Sequence, residues 1–142
     1  MDVEQIRIIK LSMIPIMQQK VAIGTMFYNR LFEIAPELRK MFSTDIDVQA
    51  AKLIDTLSVA IGSLRDPSGL NAILENLARR HATYGVRDEH YDTVGAALVW
   101  TLEKALADTL TPQLREAWIA LYGTVATKMK NAAGGQAAAA SA

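Results

Sequence analysis

Apolar residues recur every three or four positions along most of the chain, the spacing that gathers them on one face of a helix, and no stretch shows four or more residues of strand-like alternation that survives the helical alternative. The pattern predicts an all-α protein. From about Val3 to Gln18 the inward stripe is Ile6, Ile9, Met13 and Met17. Asp2, with Gln5 three residues on, has the spacing of a capping box. Pro15, lacking an amide hydrogen, predicts a kink or a division from the next helix. That second helix is predicted over about Lys20 to Ile34, burying Gly24, Phe27, Tyr28, Leu31 and Phe32. Pro36 suits the first turn of a short third helix ending near Phe42.

After a polar loop from Ser43 to Asp47, a helix from about Asp47 to Ser63 carries Leu53, Ile54, Leu57, Ala60, Ile61 and Leu64 on a single face. Asp66-Pro67-Ser68-Gly69 combines a turn with a helix start. From Leu70 to about Thr83 the stripe is Leu70, Ile73, Leu74, Leu77, Ala78 and then His81, and Gly85 closes the helix. Asp88 is the expected cap of the next, which runs to about Ala107 with Tyr91, Val94, Gly95, Leu98, Val99, Leu102 and Leu106 inward. Thr111-Pro112 is a cap followed by a first-turn proline, and the last helix buries Leu114, Trp118, Leu121, Tyr122, Val125 and Met129. Residues 1–131 are expected to form one domain. Residues 132–142 hold Ala, Gly, Gln and Ser with nothing large to bury, and are expected to be a low-complexity tail, frayed or disordered.

Composition narrows the functions open to such a bundle. The chain has 142 residues, enough for one sizeable core, since folding at this size removes about two thirds of the surface the unfolded chain exposes. Lys and Arg number 15 and so do Asp and Glu, giving a formal net charge of zero. No basic surplus points to nucleic acid or to an anionic membrane as a partner. The longest apolar stretch, Thr93 to Leu102, falls well short of the roughly 20 residues a membrane helix needs. There is no Cys, which excludes disulfides, thiolate nucleophiles, Cys-ligated clusters and covalent haem attachment through thiols, and leaves His, Asp, Glu, Met or Tyr to hold any metal. Met1-Asp2-Val3-Glu4 is acidic where a secretory signal would be basic, so the expected location is cytoplasmic.

Little in the sequence suits hydrolytic chemistry: two His, no Gly-rich phosphate loop after a strand, and no pair of acids on an apolar face. His81 extends the stripe of Leu70, Leu74 and Leu77, so its imidazole points inward. Either of two roles suits it there, a neutral core histidine donating to a backbone carbonyl or a ligand. His90, beside Glu89 at a helix start, is expected at the surface. Tyr28, Gln49, His81 and Tyr91 are polar residues interrupting buried stripes. Each alone fits a satisfied core or boundary position, and together they suggest a wet cavity.

The segments Met26-Phe27-Tyr28-Asn29-Arg30-Leu31-Phe32, Pro36 to Phe42, Gln49-Ala50-Ala51-Lys52-Leu53, and Arg80-His81-Ala82-Thr83-Tyr84-Gly85-Val86 with His90-Tyr91 and Val94-Gly95 carry a family resemblance. Over about Gln5 to Met129 the chain resembles the globins, and specifically bacterial single-domain globins related to the haem domain of flavohaemoglobins. The resemblance implies a globin fold around non-covalently held haem b, with His81 as the iron ligand and its other ring nitrogen donating to the carbonyl of Leu77. It implies Tyr28 and Gln49 as the distal pair, whose donor groups, aimed at a polar diatomic ligand in a dry pocket, retard its release. It implies Phe42, Leu53, Leu57, Leu77, Tyr84, Val86, Tyr91, Val94 and Leu98 as cofactor contacts, and Lys52 and Arg80 as partners of the propionates. With no His at the Gln49 position, the sixth iron site is expected to be open or water-bound.

The implied function is reversible binding of oxygen, with carbon monoxide and nitric oxide as further ligands, in a monomer or weak homodimer. Two alternatives accompany it: nitric oxide dioxygenation driven by a separate reductase, since no stretch is left over for flavin or nicotinamide sites, and gas sensing through a partner protein. One departure stands out. Flavohaemoglobin-like globins link the ligand histidine and a tyrosine such as Tyr91 to a late glutamate, and no Asp or Glu follows Glu116 here.

Overall fold

The computed structural model describes the backbone of residues 1–141 and the side chains of residues 1–133; the expected tail therefore lies outside the described side chains from residue 134 onward. Among the described residues six α-helices succeed one another: α1 (Val3–Gln18), α2 (Lys20–Ile34), α3 (Ile46–Gly62), α4 (Pro67–Thr83), α5 (Asp88–Leu106) and α6 (Pro112–Ser141), with 3-10 turns at Pro36–Met41 and Ala107–Thr109. No strand occurs among the described residues, and no helix among them is long and apolar enough to cross a membrane.

Local chemistry starts these helices where the sequence places the caps. Asp2 accepts from the Gln5 amide at 2.8 Å while the Gln5 side chain accepts from the Asp2 amide at 3.1 Å, completing the capping box. Asp66 accepts from the Gly69 amide and Thr111 from the Leu114 amide, each ahead of a proline in the first turn. Pro15 does not divide α1. The helix continues through it to Gln18, since the carbonyl that the ring leaves unbonded belongs to Leu11 on the exposed face, and the break falls at Gln19.

Two apolar clusters result. The larger joins α1, α2, α3, α5 and α6 around Ile9, Phe27, Leu31, Ile54, Leu98 and Trp118. The Trp118 indole donates to Ser12 Oγ at 3.1 Å, which satisfies a buried polar pair between α6 and α1. The smaller gathers Leu70, Leu74 and Ala78 of α4 with Tyr91 of α5 and Ala126 and Met129 of α6. At the α2–α3 crossing Gly24 lies against Ala50 so closely that a Cβ on residue 24 would stand 2.6 Å from the Ala50 carbonyl oxygen. That approach brings the next turn of α2, with Tyr28, against the start of α3.

Candidate functional site

Tyr28 is 4 % exposed. Its ring packs edge-on to Phe27 at 5.0 Å and to Phe42 at 5.2 Å, and Phe32 lies 6.0 Å away. Gln49 Nε2 donates to the Tyr28 hydroxyl at 3.3 Å across the two helices. Burial raises the Tyr28 phenol above its usual range, and the bond from Gln49 opposes this by less, so the group is a protonated donor at neutral pH. As the hydroxyl accepts from Gln49, its own hydrogen remains available. Arg39 holds the turn that delivers Phe42, donating to the Phe42 carbonyl at 3.1 Å and covering the Phe32 ring at 5.4 Å.

On α4, His81 is half-buried, and its Nδ1 lies 2.7 Å from the carbonyl oxygen of Leu77. A carbonyl can only accept, so Nδ1 carries the hydrogen and Nε2 keeps its lone pair. Nε2 has no hydrogen-bond partner among the described residues. Nor do they contain any group of three His, Cys, Asp or Glu able to hold a metal ion. A metal at His81 would have to bring its remaining ligands with it.

Several apolar side chains of the neighbouring stripes are incompletely covered. Phe42, Leu53, Leu57 and Val94 are half-buried against the larger cluster, and Leu77 and Val86 against the smaller. Several of them belong to stripes whose periodicity predicts full burial. Leu98 and Tyr91 are buried; Lys52, Arg80 and Tyr84 are exposed, and neither Lys52 nor Arg80 makes an ion pair among the described residues.

Two features escape a reading of the sequence. His90 is not a surface residue: it is 6 % exposed, and its Nδ1 accepts the Arg87 amide at 2.9 Å. The helix starts one residue earlier than a cap at Asp88 implies, so His90 occupies the third helical position, where an acceptor can return to the cap amide. The other is Tyr122. With no acid on α6 after Glu116, its hydroxyl crosses to the Tyr91 carbonyl at 2.5 Å, and its ring fills the space beside Gly95. Burial raises the Tyr122 phenol strongly, with Tyr91 and Asp92 adding to the shift.

Tyr28 and Gln49 pair across α2 and α3, His81 stands half-buried on α4, and comparison with known proteins gives the class to which this helical fold belongs. The Globin family model matches residues 25–129, and the chain belongs to the globin family. It is 31 % identical over 122 residues to a flavohaemoprotein of Rhizobium meliloti and 32 % identical over 128 residues to one of Chromobacterium violaceum; these matches cover 84 % and 87 % of this chain but 30 % and 31 % of the relatives. The chain thus spans about a third of their length. A neuroglobin of Tetraodon nigroviridis is 29 % identical over 126 residues, with 79 % of each chain covered. Among solved structures, an engineered carbene transferase from Rhodothermus marinus, described as a candidate nitric oxide dioxygenase, superposes with a TM-score of 0.88 at 26 % identity, covering 100 % of this chain and 99 % of its own. A bacterial globin of Campylobacter jejuni gives 0.82 at 25 % identity, with 95 % and 98 % covered.

Proposed function

We propose that this globin binds haem b without a covalent link, with His81 Nε2 as the iron ligand, and that it reversibly binds oxygen and other diatomic gases. The observation that carries the reading is the pair of unspent groups. A lone pair on His81 Nε2 and a hydrogen on the Tyr28 hydroxyl are held on different helices, beside apolar side chains only half covered by protein. A flat apolar cofactor fits that donor set, for it supplies the metal ligands the protein lacks and covers Phe42, Leu53, Leu57, Leu77, Val86 and Val94. When bound, haem supplies an iron centre with one position open to a diatomic gas.

The residues do the rest. Leu77 fixes the tautomer and plane of His81 through its carbonyl. Tyr28, oriented by Gln49 and by Phe42, keeps its own hydrogen free to hold a polar ligand. Lys52 and Arg80, exposed and without an ion pair among the described residues, are available to the propionates, and Tyr84, Tyr91 and Leu98 complete the contacts. A net hydrogen bond contributes about 0.5 to 1.5 kcal/mol, so Tyr28→Phe should raise the oxygen dissociation rate by roughly three- to tenfold. Carbon monoxide, being less polar, should be released at nearly the unaltered rate. Stopped-flow displacement of each gas measures both, and equal effects on the two would remove Tyr28 from this role.

A second reading is favoured by the likeness to flavohaemoproteins and to the Rhodothermus marinus protein: nitric oxide dioxygenation, with electrons from a separate reductase. Sustained consumption of nitric oxide with NADH and a purified cellular reductase would support it. A ferric protein that no cellular donor reduces would count against it.

A further inference from the structure

The corner between α4 and α5 is bonded almost without a gap. The Tyr84 amide donates to the carbonyls of Arg80 and His81, at 3.2 and 3.1 Å, that of Gly85 to Ala82 at 3.1 Å, and that of Val86 back to the His81 carbonyl at 3.0 Å. Gly85 takes φ +88°, a conformation that needs glycine and turns the chain. The next amide, Arg87, has a side chain as its acceptor: it donates to His90 Nδ1 at 2.9 Å, while the His90 amide donates to the Arg87 carbonyl at 3.0 Å. One end of the corner therefore hangs on the backbone of His81 and the other on the ring of His90.

We infer that His90 is a positioning residue, whose neutral imidazole latches the corner to the first turn of α5 and so fixes how His81 presents Nε2. The inference rests on the proposal that His81 ligates haem iron. The latch needs Nδ1 bare, hence the tautomer with hydrogen on Nε2. A second proton would set two donors against each other and place a positive charge at a helix N-terminus, where the dipole opposes it. Among the described residues the Arg87 amide has no acceptor besides His90.

The test compares the hemin-loaded wild type with His90→Gln, which keeps an acceptor at the same helical position, and His90→Leu, which keeps the volume without an acceptor. Two quantities are read: amide-exchange protection at Val86 and Arg87, and hemin transfer to excess apomyoglobin. In His90→Leu, protection at Arg87 should fall and hemin transfer should quicken, each by about three- to tenfold relative to the wild type, matching one lost hydrogen bond. His90→Gln should resemble the wild type in both. A His90→Gln protein as weakly protected as His90→Leu would overturn the latch, and so would a folded His90→Leu protein with undiminished protection. Altered protection with unaltered hemin transfer would overturn the positioning role alone. A wild type that takes up no hemin would instead overturn the ligand role of His81, while exchange at Arg87 still decides the latch.

Discussion

The α2–α3 wall and the α4–α5 corner hold their polar groups by opposite means. Tyr28 is fixed by side chains remote in sequence: Gln49 bonds it across a helix crossing that depends on Gly24 meeting Ala50, and Phe42 and Phe32 pack on its ring. His81 is fixed locally, by the Leu77 carbonyl one turn back and by a corner whose bonds all lie within about ten residues of it. Dense packing between elements gives the first wall stiffness, since interiors tolerate little volume change. Short-range hydrogen bonds give the second wall direction with little bulk around it, and the imidazole is half-buried.

Substitutions on each wall probe that contrast, and the largest consequence is expected at the corner. His81→Ala removes the proposed ligand while leaving its helix free of any cavity in a packed core. Hemin uptake should be lost, together with the stabilisation that binding to the native state confers, about 2.7 kcal/mol at a free cofactor concentration of 100 times Kd. Absorbance and thermal melting with and without hemin measure both, and unchanged values would require another ligand. Gly24→Val attacks the other wall. Its side chain would meet Ala50 backbone at under van der Waals distance, and overpacking of this kind costs about 1 to 3 kcal/mol, seen as a lower denaturant midpoint even without hemin. Stability equal to the wild type would show that the crossing can open freely.

Tyr122→Phe is a smaller change. It deletes the bond to the Tyr91 carbonyl and should cost about 0.5 to 1.5 kcal/mol. The same phenol has a pH consequence. Its pKa, like that of Tyr28, is raised by folding, so the folded state holds the proton more tightly than the unfolded chain does. Its contribution is complete below about pH 10, the ordinary tyrosine value, and declines as pH rises beyond it. The stability of the wild type should therefore fall on the alkaline side, and less steeply in Tyr122→Phe; identical slopes would remove this phenol as a source.

The helices are legible in the sequence because amphipathic stripes and caps are local signals. Asp2 with Gln5, Asp66 with Pro67, and Thr111 with Pro112 announce helix starts by chemistry confined to four residues. The candidate site is legible only in part. The inward direction of His81 follows from the Leu70, Leu74, Leu77 stripe, but periodicity treats Leu53, Leu57 and Leu77 as ordinary core and does not register that folding leaves them half covered. Tyr28 and Gln49, 21 residues apart, meet through a crossing that no local pattern encodes, and only family resemblance suggests the pair. For His90, a one-residue shift in the start of α5 is enough to turn an apparent surface residue into a buried acceptor.

Titration of the purified protein with hemin, followed by absorption in the ferric, ferrous and carbon monoxide forms, tests the ligand role of His81 most directly. The expected result is uptake of one hemin per chain, a ferrous form with an open sixth position that binds carbon monoxide, and loss of that spectrum in His81→Ala with recovery on adding free imidazole. A wild-type protein that leaves hemin with the spectrum of the free compound, or a His81→Ala protein indistinguishable from the wild type, would contradict it.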